Sequence, residues 1–213
     1  ALMALFGFAP ESIRYYALIL NLVVSAIAFI SYARAGHFRL RLAIPFLITS
    51  MPAAYLGAQI SINPTLYKII LGIMLLIAVL RMLMVGNNDN KETRNPPFAI
   101  ALGIGLLLGL VSGIIGIGGG ILLSPLLILA RYARIKEASA AAALFIFLNS
   151  ASGLAGLMTT KFTFQPEIIY WIMGVMVAGF AGSAMGSRTF SELNLKRVLS
   201  LVLIAASIKL FFF

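Results

Sequence analysis

The chain has 213 residues, 62% of them hydrophobic and only 10% charged, with a mean hydropathy of +1.05 and a formal net charge of +10. Soluble domains carry about 25% charge, so this composition excludes an ordinary globular domain and points to a polytopic membrane protein. The basic residues sit in short segments between apolar runs, as topology signals facing anionic lipid do, which argues against nucleic-acid binding. The absence of cysteine excludes disulfides, thiolate catalysis and thiolate metal sites.

The chain opens in "ALMALFGFAP", which lacks the charged region and cleavage site of a signal peptide and reads like the tail of an element. A span needs roughly 20 mostly apolar residues. Such runs are predicted at 13–33, 40–60, 64–85, 138–159, 167–188 and 195–213, and a longer one covers 98–130. The polar stretch "VGNNDNKETRNPP", Val85 to Pro97, divides the chain. The reading is a first transmembrane repeat at 1–84, a linker at 85–97 and a second repeat at 98–213.

Two kinds of pattern support that division. A shift of 128 lays "LNLVVSAIA" from Leu20 over "LNSASGLAG" from Leu148, and a shift of 129 lays "PAAYLGAQ" from Pro52 over "AGSAMGSR" from Ala181. The counterpart of the glycine-rich run would then precede Ala1, so the first half looks short of its leading element. Charge gives the second pattern. If 98–130 crosses the membrane once, the 16 Lys and Arg divide evenly between the two sides. If the run turns back, only Arg14, Lys68, Lys161 and Lys209 lie opposite the rest. Membrane proteins are asymmetric in this second way. The expected fold is therefore all-α and polytopic, with two inverted repeats of transmembrane helices and a broken or re-entrant glycine-rich helix. The expected form of that run is one half-helix down, a glycine turn, and one half-helix back.

Within "GLLLGLVSGIIGIGGGILLSP", Gly105, Gly109 and Gly113 fall four apart and read as a helix-packing face. Gly116, Gly118, Gly119 and Gly120 are denser than packing requires, and glycine is the residue that takes positive φ freely. A turn there, followed by a helix from about Ile121, would gather backbone N–H donors and a positive dipole end, the makings of an anion cradle. Ser112 and Ser124 add hydroxyls, or bond their own helix. Pro125 is expected in the first turn or so of the second half-helix. The stretch resembles a phosphate loop without its Lys-Ser/Thr ending.

Asn21 and Asn149 occupy matching positions of the repeat, with Ser25 after the first and Ser150 after the second. Amides at that depth serve either as helix–helix glue or as pathway lining. All six acids fall in loops or at span edges, whereas a cation carrier or proton pump keeps a carboxylate inside the membrane. The interior groups on offer are donors and neutral dipoles, which suit a small anion. His37 lies in a basic loop and reads as a solvated or lipid-headgroup histidine rather than a proton relay. Tyr15, Tyr16, Tyr32, Tyr170 and Trp171 read as interfacial anchors. Arg188 either snorkels or flanks a vestibule. An intramembrane enzyme has little support: no HExxH, no GxSxG, no cysteine and no carboxylate within a span. A channel uses the same re-entrant element as a carrier and stays open as an alternative.

On "GLVSGIIGIGGGILLSPLLIL" (Gly109 to Leu129), "EASAAAALFIFLNSASG" and "AGFAGSAMGS", the chain resembles the sulfite exporter TauE/SafE family of membrane permeases. The resemblance implies a carrier in the plasma membrane of a bacterium or archaeon that exports sulfite or organosulfonates. It maps onto Gly116, Gly118, Gly119, Gly120 and Pro125 and onto the small polar stretch around Asn149. It also implies a glycine-rich motif in each half, and the first is not seen here. The expected partners are a small anionic substrate, the lipid bilayer and, as an option, further copies of the chain; no nucleic acid, metal or cofactor is expected.

Overall fold

The computed structural model describes residues 10–60, 93–116, 118–158 and 168–191, with positions 194, 197, 198 and 201. The span expected at 64–85, most of the linker and of 195–213, and Lys68, Lys161 and Lys209 lie outside the described residues. What is described is helical: α1 (Pro10–Arg34), α2 (Leu40–Gln59), α3 (Phe98–Ile115), α4 (Gly120–Leu129), α5 (Ile135–Leu157) and α6 (Ile168–Ala184), the last running into a π turn at Met185–Thr189. Among these, five segments are long and apolar enough to cross a membrane, and α4 is a shorter apolar helix. In hydrocarbon a backbone must satisfy its own hydrogen bonds, so apolar runs of this length become helices.

Helix ends follow local chemistry. α1 stops where Gly36 takes a φ of +80° and the His37 N–H donates back to the Tyr32 carbonyl at 3.1 Å, a left-handed glycine closure. α3 begins after Pro96 and Pro97 and ends at left-handed Gly116. At the start of α5, Glu137 accepts the Arg134 N–H at 3.0 Å and meets the Arg39 guanidinium at 3.4 Å.

α5 is the central helix, packed against α1, α2 and α4 and touching α3, while α6 packs on α1. Tyr32 of α1 lies beside Ser139 of α5, and a Cβ placed on Gly153 would stand 3.6 Å from Leu18. The same interval separates each pair in opposite chain directions, so α1 and α5 run antiparallel. Interpolation sets Asn21 level with Ser150 and Ser25 level with Ile146. On the other flank of α5, Ser152 Oγ donates to the Met51 carbonyl of α2 at 2.5 Å. Moved along the chain by 128 residues, this pair becomes Val24 and Gly179, which meet where α1 packs against α6, at 3.2 Å from a Cβ on Gly179.

The α2–α3 seam is backbone against backbone. A Cβ on Gly109 would lie 2.5 Å from Ser50 Cα, and one on Gly113 would lie 2.9 Å from Ala54 Cα. Gly105 likewise faces Phe46 and Thr49, whose hydroxyl donates to the Leu102 carbonyl at 2.7 Å. The packing role expected for this glycine face is what the helices use it for. Between helices in lipid there is no hydrophobic drive, so close approach supplies the attraction.

The run at 98–130 does not cross once. The Arg94 N–H donates to the Arg131 carbonyl at 2.8 Å, which brings the residue before α3 to the residue after α4. Other contacts gather the same end: Arg39 reaches Asn95 at 3.3 Å as well as Glu137, and His37 Nε2 and Lys136 Nζ both meet the Ser187 carbonyl, at 3.1 and 3.3 Å. Arg34, Arg41 and Arg188 belong to that end by their place at its helix termini. Arg14 is at the other.

The hairpin differs from two equal half-helices. α3 has 18 residues, about 27 Å at 1.5 Å per residue, and spans nearly the whole bundle. Only α4, with 10 residues and about 15 Å, is short. Its start doubles back to the level of Leu108, whose carbonyl lies 3.2 Å from a Cβ on Gly119. The stretch of α3 from Phe98 to Leu108 matches α4 in length, so the two arms return to one level.

Two tyrosines also differ from expectation. Tyr16 is fully buried beside Ile168, with Leu20 and Trp171 packed on it, and Tyr32 is buried against α5. Their rings fill gaps between helices, whereas Tyr170 is exposed as an interfacial anchor would be.

Candidate functional site

The glycine cluster divides into three roles. Gly116 closes α3, with φ +78° and its N–H on the Ser112 carbonyl at 2.7 Å. Gly118 and Gly119 make the turn, with φ +77° and +69°. Gly120 is the first residue of α4, and Gly119 caps that helix with no side chain. Three left-handed residues within four positions suit glycine, because a Cβ there meets the neighbouring carbonyl.

The α5 face fits closely over the turn. A Cβ on Gly118 would stand 2.7 Å from Ile146 Cγ2 and 3.0 Å from Ser150 Oγ; on Gly119, 3.0 Å from Phe145 Cε1 and from Ser112 Cβ; on Gly120, 2.8 Å from the Ala142 carbonyl. Asn149 follows Phe145 by four residues and Ile146 by three, so it shares their face of α5. Small residues let the α5 side chains reach the turn's main chain.

Three polar side chains by this turn are buried and unsatisfied. Asn149 is 1% exposed, Ser150 0% and Ser112 3%. Among the described residues, Ser112 Oγ, both amide atoms of Asn149 and Ser150 Oγ have no hydrogen-bond partner. Buried polar atoms are nearly always paired, so a cluster of orphans calls for an explanation. Ser124 is buried in the second turn of α4. Pro125 follows it, one residue deeper into the helix than a start at Ile121 implies, so the Ile121 carbonyl loses its helical donor. Asn21 is half-buried on α1. Ser25 is buried, but its hydroxyl donates to the Asn21 carbonyl on its own helix. That proton is committed locally.

One residue of this neighbourhood was missed from the sequence. Arg14, assigned to the sparsely charged side, lies against the turn. Its guanidinium donates to the carbonyls of Gly57, Ala58 and Ile60 at the end of α2, at 3.2, 2.8 and 3.3 Å, and to the Gly113 carbonyl of α3. A Cβ on Gly116 would touch Arg14 Cγ at 2.7 Å. Its position at the start of a span, where arginines ordinarily snorkel, hid this role. Among the described residues, no group of three His, Cys, Asp or Glu side chains stands close enough to hold a metal ion.

Residues 1–210 match the family described as Sulfite exporter TauE/SafE. A probable membrane transporter protein of Sinorhizobium fredii is 31% identical over 99% of this chain and 87% of its own length. One of Xylella fastidiosa is 28% identical over 84% of this chain and 71% of its own, and one of the archaeon Methanocaldococcus jannaschii is 26% identical over 71% and 59%. No solved structure matches the chain. The names of these relatives speak of transport rather than catalysis. With its apolar helices and a family match over nearly its whole length, the chain belongs to the TauE/SafE sulfite exporter family and is a multi-pass membrane transporter of a bacterium or archaeon.

Proposed function

We propose that this transporter carries a small sulfur oxyanion, hydrogen sulfite first and organosulfonates next, out of the cell by alternating access. The reading rests on the cluster of orphaned polar atoms beside the glycine turn: Ser112 Oγ, the two Asn149 amide atoms and Ser150 Oγ. Each such atom costs about 1–3 kcal/mol when left unsatisfied, and a ligand that pairs with them recovers that cost. The Asn149 amide needs both an acceptor for its N–H₂ and a donor for its oxygen, whichever way the group is oriented. Hydrogen sulfite offers both, as do the sulfonate and ammonium of taurine together; sulfate, thiosulfate and chloride offer no donor. The serine hydroxyls and the α4 N-terminus add donors and a positive dipole end.

Packing favours an inverted repeat as the frame for the cycle. The antiparallel course of α1 and α5, centred on Asn21 and Asn149–Ser150, is what a two-fold axis in the membrane plane requires. A repeat about the membrane normal would make the two helices parallel. The pairs Ser152–Met51 and Val24–Gly179 relate by the same shift as the two asparagines. The end bearing the basic loops is the cytoplasmic one by the positive-inside rule.

The test is labelled-sulfite counterflow in proteoliposomes, with chloride, sulfate, thiosulfate and taurine as competitors. Saturable exchange, blocked by taurine more than by sulfate, thiosulfate or chloride and abolished by Gly119→Leu, is the expected result. Sulfite flux without saturation or counterflow would mean a channel. No exchange with any of these anions would remove the oxyanion reading.

A further inference from the structure

Arg14 stands in the second turn of α1, close to the positive end of its own helix dipole, where a cation is disfavoured. Its guanidinium instead lies over the negative ends of two other helices. The Gly57 and Ala58 carbonyls belong to the last turn of α2, where helical donors run out, and the Gly113 carbonyl to the last turn of α3. One planar fork therefore ties α1, α2 and α3 by charge-assisted bonds, a geometry that an ammonium group does not reproduce. Its aliphatic stem lies on Gly116, the first residue of the turn.

We propose that Arg14 is a positioning residue that latches the end of the bundle remote from the basic loops and closes the glycine turn to that side. Releasing the fork frees α1 to move from the α2–α3 pair, which the glycine seam holds together. The latch rests on transport by alternating access, as in the preceding proposal, and not on which anion is carried.

The chain has no cysteine, so Ser112→Cys provides a single reporter thiol beside the turn. Its modification by a small membrane-impermeant methanethiosulfonate is read in sealed vesicles of each orientation, with arginine, Arg14→Gln or Arg14→Lys present. With Arg14→Gln, labelling from the end opposite the basic loops is expected to rise about tenfold or more, the shift that loss of a charge-assisted hydrogen bond produces. Labelling from the basic end should fall or stay unchanged. Arg14→Lys should give an intermediate rate, since charge remains without the fork. Unchanged labelling, or an equal rise from both ends, overturns the latch, because general loosening has no sidedness. If Arg14→Gln is not recovered as folded protein, Arg14→Lys decides by the same criterion. A sulfite counterflow failure with one-sided labelling would retire the cargo and leave the latch; the reverse result would retire the latch alone.

Discussion

Replacing Asn149 by leucine should make the protein more stable and inactive. Both amide atoms of Asn149 are buried without a partner, at 1% exposure. Leaving one buried polar group unsatisfied costs about 1–3 kcal/mol, and an apolar replacement of similar shape removes that cost. Two such atoms set a ceiling of several kcal/mol, and strain from the bulkier branched end takes back about 1–3 kcal/mol. The net expectation is a gain of about 1–3 kcal/mol. Ser152→Ala is the counter-case on the same helix, because Ser152 donates to Met51 across the α2 interface. Interhelical bonds of that kind average about 0.6 kcal/mol in membrane proteins, so this variant should lose a little stability and keep saturable transport. The assay is thermal unfolding in detergent beside sulfite counterflow. Opposite signs for the two variants in Tm, together with loss of transport only in Asn149→Leu, are the expected outcome. A lowered Tm for Asn149→Leu would mean that the amide is helix–helix glue, and the argument for a ligand there would collapse.

Two glycines of α3 should respond in opposite directions. Gly103→Ala meets nothing within 4 Å and should gain up to about 1 kcal/mol from helix propensity; Gly109→Ala must push α2 away and should lose about 1–3 kcal/mol, read as Tm. Left-handed glycines make a second pair: Gly36→Ala, with φ +80° and open space, carries only the backbone penalty of about 1–2 kcal/mol. Gly119→Ala, at φ +69° and 3.0 Å from Phe145 and Ser112, should cost more and also abolish counterflow; equal losses in Tm would show that the turn is not tightly covered. At the basic end, Glu137→Ala should destabilise more than Arg39→Ala, since Glu137 caps the first turn of α5 through the Arg134 N–H at 3.0 Å, whereas the further bonds of Arg39, to Thr93 and Asn95, are longer, at 3.4 and 3.3 Å. The ion pair itself, 36% and 22% exposed, should return no more than about 1 kcal/mol in a double-mutant cycle.

Much was legible from pattern alone. Composition and apolar run length set the class and most of the described helices, because in hydrocarbon only self-satisfied backbone is tolerated. The clustered glycines pointed to left-handed backbone at four positions, which Gly116, Gly118 and Gly119 take and helical Gly120 does not, and the four-residue spacing of Gly105, Gly109 and Gly113 foretold the close seam with α2. The charge split pointed to a run that turns back, since topology is written in Lys and Arg between spans. What required the tertiary structure was depth and partnership. That α3 runs nearly full length while α4 is short depends on where Gly119 meets Leu108, and no local signal encodes that. Ser112, Asn149, Ser150 and Ser25 look alike in sequence, yet Ser25 has spent its proton on its own helix and the other three are buried without partners. Arg14 reads as one more snorkelling cation, and only the convergence of two helix C-termini upon it gives it a role. Hydrogen-bond partners are set by packing between segments far apart in the chain, whereas periodicity and charge act within a few turns.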